Sequence, residues 1–110
     1  DLWAPVAGER FDLVVSNPPY IATSVIDTLS AEVRREPRAA LDGGPDGLAF
    51  YDRICAAARD YLVPGGALAV EHGYDQAEPV RARFEAAGLV RVTLVNDLGR
   101  NPRVTSGYAP

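Results

Sequence analysis

Asn17, Pro18, Pro19 and Tyr20 are the residues of this chain whose types and spacing could do chemistry. They set an amide, two prolines and an aromatic ring in succession behind the apolar run Leu13-Val14-Val15. The prolines carry no N–H to donate to a sheet ladder, so a strand entering here must stop at Ser16 or Asn17. They also push Asn17 and Pro18 into extended backbone, which leaves carbonyl groups free to accept from a ligand. Asn17 adds a side-chain carbonyl. A planar –NH2 group has two N–H donors, so two convergent acceptors would fix its plane and Tyr20 could cover one face. Taken alone, the tetrapeptide could also be a plain strand-to-turn stop.

The elements that must position these residues are legible from periodicity. Leu13 to Val15 read as a fully buried parallel strand. Residues 21–46 form a long connection with at most a short helix near Asp27 to Arg34, and loops of that length are usually functional. Leu48, Tyr51, Ile54, Cys55, Ala58, Tyr61 and Leu62 recur at helical spacing, with Asp46 able to cap the helix and Pro64-Gly65 to end it. Ala67 to Val70 predict a second buried strand that stops at Glu71-His72-Gly73. A second helix follows from about Gln76 to Ala87, with Asp75 and Glu78 in capping-box spacing, Val80, Phe84 and Ala87 as its apolar face and Gly88 as its stop. Val90, Val92 and Leu94 alternate with Arg91 and Thr93 as a half-buried strand, and Arg103 to Tyr108 returns as its antiparallel partner. Ligands of open α/β sheets collect at the carboxyl ends of the strands, where Asn17 and Glu71 both fall.

Beyond the tetrapeptide, the stretch from Ala31 to Gly73 and the segment Asp97 to Val104 carry a resemblance. Asn-Pro-Pro-Tyr after an apolar strand is similar to the signature of S-adenosylmethionine-dependent methyltransferases that act on amide or exocyclic amine nitrogens. Glu32-Val33, Glu36-Pro37, Ala40-Leu41, Asp46-Gly47-Leu48, Pro64-Gly65-Gly66, Glu71-His72-Gly73, Asp97 to Gly99 and Arg103-Val104 resemble, segment by segment, the HemK-type peptide chain release factor glutamine methyltransferases. The resemblance covers essentially all 110 residues. It departs where His72 replaces a common aliphatic residue and where Asn101-Pro102 lengthens the final turn.

The resemblance implies an α/β, Rossmann-like class I methyltransferase fold, of which strand–helix–strand–helix–antiparallel hairpin is the second half. It implies methyl transfer from S-adenosylmethionine to the amide nitrogen of the Gly-Gly-Gln glutamine of a release factor. Asn17 and Pro18 are then the catalytic acceptors, and Asn17, Pro18, Pro19 and Tyr20 bind the substrate. Asn17, with Leu2 and Trp3 as a weaker carry-over, borders the cofactor. Such enzymes hold the cofactor mainly through a glycine-rich loop and an acidic residue that precede the motif, and neither stands in this sequence. Gly43-Gly44-Pro45-Asp46-Gly47 follows a polar stretch and reads as a turn. Residues 1–110 are therefore expected to be the carboxyl-terminal part of a catalytic domain, inactive alone, with the amino-terminal half of the same enzyme as a partner.

Composition fits a single cytoplasmic domain or part of one: 47% hydrophobic, 24% charged, and no apolar stretch near the ~20 residues of a membrane span. The lone Cys55 reads as a small core residue, and a single Cys with a single His gives no structural zinc site. Net charge is −4 and all 11 basic residues are arginines scattered along the chain, which disfavours a nucleic-acid substrate. Arg34, Arg35 and Arg38 interleave with Glu32 and Glu36 as a self-paired surface. A DNA or RNA adenine methyltransferase sharing Asn17 to Tyr20, and a non-catalytic fragment that only binds a partner, are the alternatives. Glu71 and His72 are assigned no catalytic role, and no Gly-X-Ser-X-Gly elbow supports a hydrolase built on Ser16 or Ser106.

Overall fold

A computed structural model of the chain describes residues 8–26 and 42–110. Their elements run β1 (Phe11–Ser16), α1 (Thr23–Ile26), α2 (Ala49–Tyr61), β2 (Leu62–Glu71), α3 (Ala77–Ala86), β3 (Val90–Asn96) and β4 (Pro102–Tyr108). The four strands form one sheet in the order β1-β2-β4-β3, with β1 parallel to β2 and β4 antiparallel to both of its neighbours. This is the expected strand–helix–strand–helix–hairpin. The helix expected near Asp27 to Arg34 falls outside the described residues.

Among the described residues, one face of the sheet is covered by helices and the other is not. Tyr51, Ile54, Cys55 and Ala58 of α2, at i, i+3, i+4 and i+7, pack with Val80 and Phe84 of α3 onto Leu68 and Val70 of β2. That stripe is why α2 forms, since an amphipathic helix is stabilised mainly by the face it buries. Val14 joins the same cluster from β1. Its neighbours point the other way: Leu13 is 60% and Val15 72% exposed, and no described helix covers their face. The expectation of a fully buried first strand is therefore corrected. Among the described residues β1 has a neighbour on one side only and helices on one face only, so only Val14 of the run is drawn into the core.

Several boundaries also move. Helix α2 ends at Tyr61, where Leu62 turns extended, so Pro64-Gly65 does not stop it but lies within the longer β2. Residues 63–66 bulge between the Phe11↔Leu62 and Leu13↔Ala67 pairs, and Gly65 takes φ +79° there. The capping box of Asp75 and Glu78 is not made: Gln76 is the N-cap of α3 and no side chain caps the helix. Asp46 does not cap α2 directly either; its carboxylate accepts from the Leu48 N–H one turn earlier, in an Asx turn. The exit of α3 is as expected, for the Leu89 N–H donates to Phe84 and the Gly88 N–H to Glu85 with Gly88 at φ +85°, a Schellman close.

Among the described residues β3 is an edge strand, and it is more exposed than half-buried. Arg91 takes φ +52° and the register slips between Val90 and Thr93, which breaks the alternation and leaves Val90, Leu94 and Val95 exposed. The β3–β4 turn is closed by Asp97, whose carboxylate accepts from the Asn101 N–H and from the Arg103 guanidinium, both at 3.0 Å. Those donors, the Asn101 N–H first, hold the Asp97 carboxyl below the ordinary carboxylate range. No described helix is long and apolar enough to cross a membrane.

Candidate active site

Because Ser16 pairs with Val70 in parallel register, Asn17 stands level with Glu71 at the carboxyl end of the sheet. Strand β3 runs the same way, so the Asp97 turn and Arg103 border this end too. Asn17 is exposed and Pro18 is buried, with Pro19 and Tyr20 half-buried. Among the described residues neither the Asn17 side chain nor the Pro18 carbonyl has a hydrogen bond. Two oxygen acceptors thus stand uncommitted on consecutive residues at the strand end, as the prolines dictate. Leu2 and Trp3 lie outside the described residues.

The motif is held from behind by close backbone packing. A Cβ on Gly43 would fall 2.7 Å from the Tyr20 Cα, and one on Gly47 would fall 2.3 Å from the Tyr20 carbonyl oxygen. Gly47 also takes φ +78°, which an L side chain rarely adopts. Gly47→Ala is therefore expected to destabilise the protein by roughly 2–4 kcal/mol and to displace Tyr20. A lowered melting temperature with altered tyrosine fluorescence would register both; an unchanged transition would mean that the loop gives way freely.

The long connection is closed at its base. Ile21 and Asp42 form a parallel bridge, the Gly43 N–H donates to Ile21 and the Thr23 N–H to Gly44. The Asp42 carboxylate accepts from the Thr23 hydroxyl at 2.7 Å and from the Gly44 N–H at 3.0 Å. The glycine cluster is thus a turn that grips the motif, as its composition suggested. A cleft of about 320 Å³ opens beside Tyr20, between Ile21, Asp46, Asp75 and Pro79.

The end of β2 is braced on its helix-covered side. Tyr51 donates its hydroxyl to the Glu71 carbonyl at 2.7 Å, and burial pushes its phenol well above the ordinary range. His72 is fully buried; its Nδ1 donates to the Gly73 carbonyl at 2.9 Å and its Nε2 meets the Thr105 hydroxyl at 2.8 Å. A carbonyl can only accept, so Nδ1 must carry the proton. Both ring nitrogens are thereby committed to holding the strand end, which is the structural role left open for His72, while Glu71 points to the exposed side. Cys55 lies in the core, its thiol pushed up to about 12 by burial, and is no nucleophile. The groove it helps to line, with Asp52, Ala56 and Arg83, lies between α2 and α3.

One residue of this region escaped the sequence reading. Gln76, taken only as the start of a helix, reaches from the N-cap of α3 into the motif loop. Its amide bonds Tyr20, Gly47 and Gly73 at 2.9–3.2 Å. The available signal was a glutamine at a helix start three residues after Gly73, where a long side chain can fold back.

The comparisons with known proteins converge on one group. The chain is 56% identical over 103 residues to the release factor glutamine methyltransferase of Caulobacter vibrioides, 50% over 107 residues to that of Geobacter sulfurreducens, and 46% over 110 residues to that of Xylella fastidiosa. These matches take in 93–100% of this chain but only 36–40% of the relatives, so the chain spans well under half of their length. Among solved structures, the release factor-specific protein-(glutamine-N5) methyltransferase of Alicyclobacillus acidocaldarius superposes with TM-score 0.60 at 30% identity, over 93% of this chain and 50% of that one. A methyltransferase of Pyrococcus furiosus superposes with TM-score 0.61 at 18% identity over 93% of this chain and 42% of that one, which speaks for the fold. No protein-family profile matches the chain.

Proposed function

We propose, starting from a chain that is homologous along its whole length to a segment of the release factor glutamine methyltransferases, that it forms the carboxyl-terminal part of the catalytic domain of such an enzyme. The reaction is methyl transfer to the side-chain amide nitrogen of the Gly-Gly-Gln glutamine of a peptide chain release factor. The observation that carries this reading is that the Asn17 amide oxygen and the Pro18 carbonyl, on consecutive residues at the carboxyl end of β1, have no hydrogen-bond partner among the described residues.

The acceptor pair fits the chemistry. An amide nitrogen is a poor nucleophile because its lone pair is delocalised into the carbonyl, and no side chain basic at neutral pH would deprotonate it. When bound, S-adenosylmethionine supplies an electrophilic methyl group. Asn17 and Pro18 accept from the two N–H groups of the glutamine and so hold its nitrogen in one orientation. Their oxygens also stabilise the positive charge that develops on that nitrogen. Tyr20 and Pro19 wall the substrate side, Asn17 borders the cofactor, and Leu2 and Trp3 extend the cofactor side. The glycine-rich loop, the acidic ribose contact and the cover for Leu13 and Val15 are assigned to the amino-terminal half of the same enzyme. The enzyme works in the cytoplasm, where release factors act.

Incubating the whole enzyme with labelled cofactor tests the reading. A folded release factor with Gly-Gly-Gln should be labelled, while duplex DNA and adenine-rich single strands should stay unlabelled. Label on DNA and none on the release factor would replace glutamine by adenine as the acceptor base.

A further inference from the structure

We propose that Gln76 is a positioning residue for the Asn17–Tyr20 motif, acting through the Tyr20 backbone; the inference rests on the reading of Asn17 and Pro18 as the substrate acceptors. Gln76 is 8% exposed and its amide is fully engaged. Nε2 donates to the Tyr20 carbonyl at 3.0 Å and to the Gly47 carbonyl at 3.2 Å, while Oε1 accepts from the Gly73 N–H at 2.9 Å. These partners fix the orientation of the amide, since the reversed one would set N–H against N–H and oxygen against two carbonyls.

The need for such a contact follows from the motif itself. Pro18 and Pro19 have no N–H, so no ladder can hold the chain beyond Ser16. Tyr20 is the first residue after them whose carbonyl is tied down, and the tie comes from 56 residues away. The same side chain joins the motif to the Gly47 turn and to the end of β2, so three segments that converge at the carboxyl end share one amide. The Gln76 backbone is fixed as well: its N–H donates to Gly73 and its carbonyl accepts from Val80. Anchored at the head of α3 and reaching to Tyr20, the side chain sets how far the two acceptors stand from the sheet. Glutamate in its place would keep the bond to Gly73 but turn a carboxylate on two carbonyls, and asparagine would fall a methylene short.

The test uses Gln76→Ala, Gln76→Glu and Gln76→Asn in the whole enzyme. kcat on the release factor should fall on the order of 10–10²-fold, most for Gln76→Glu, with KM for the cofactor within about threefold. In an Asn17→Ala background Gln76→Ala should cost little more, since both act on the same placement. Hydrogen exchange should quicken at the hydrogen-bonded Thr23, Gly43 and Gly47 amides and stay unchanged at Thr105 in β4. Unchanged kcat, multiplicative losses in the double variant, or exchange raised evenly through the sheet would each overturn the proposal. A wild-type enzyme that leaves glutamine unmethylated would sink the methyl-transfer reading alone; exchange confined to the motif and the Gly47 turn would then still uphold the Gln76 anchor, and unaltered exchange would remove it.

Discussion

Asn17→Ala in the whole enzyme is expected to lower the rate of methyl transfer by about 10²–10³-fold, the usual cost of removing one preorganised polar contact from a reacting centre. The side chain is exposed and makes no hydrogen bond among the described residues, so its loss should leave the fold intact and the melting temperature nearly unchanged. That separates it from Gly47→Ala, which acts through the fold. The affinity for cofactor should move far less than the rate, because the lost oxygen orients the nucleophile. Asn17→Asp keeps an acceptor but brings a negative charge toward the sulfonium, so a changed cofactor affinity should accompany its lost rate. Steady-state kinetics with calorimetric titration of the cofactor would separate these outcomes. A near-normal rate for Asn17→Ala would reduce the motif to a strand stop.

What the sequence made legible was whatever a local pattern determines. The stripe of Tyr51, Ile54, Cys55 and Ala58 located α2 because a 3.6-residue period has one physical cause. The two prolines located the end of β1 because a missing N–H cannot be supplied by context. The misjudged features are those set by neighbours distant in sequence. Leu13 and Val15 carry the composition of a buried strand, yet their burial depends on what lies across the sheet, and no described element covers that face. The start of α3 was legible, but its cap was not: Asp75 and Glu78 have the spacing of a capping box, yet the N-cap is Gln76, whose side chain is drawn to Tyr20 and Gly47. His72 looked ambiguous because its partner Thr105 stands 33 residues away. The same holds at the candidate site, where the strand end at Asn17 and Pro18 was legible from the prolines while the Gln76 contact to the Tyr20 carbonyl required the fold.

Exchanging the Gly-Gly-Gln glutamine of the release factor for glutamate is expected to abolish labelling. The nucleophile is lost, and binding is also opposed. The carboxylate has no N–H to donate, and its oxygens would face the Asn17 and Pro18 oxygens as a buried charge against two acceptors. Discrimination of this type reaches on the order of 10⁴–10⁵-fold, because a site built to accept two hydrogen bonds would be left with both acceptors unpaired. A glutamate factor should therefore compete poorly with the glutamine one even as an unreactive ligand. A short free peptide carrying Gly-Gly-Gln should also be methylated poorly. Two acceptors on a strand end give little affinity against the cost of ordering a flexible peptide, so recognition must draw on a wider surface, to which the cleft beside Tyr20 can contribute. Competition assays with both factors, run beside peptide kinetics, would check this. Equal competition by the glutamate factor would mean that Asn17 and Pro18 do not read the amide.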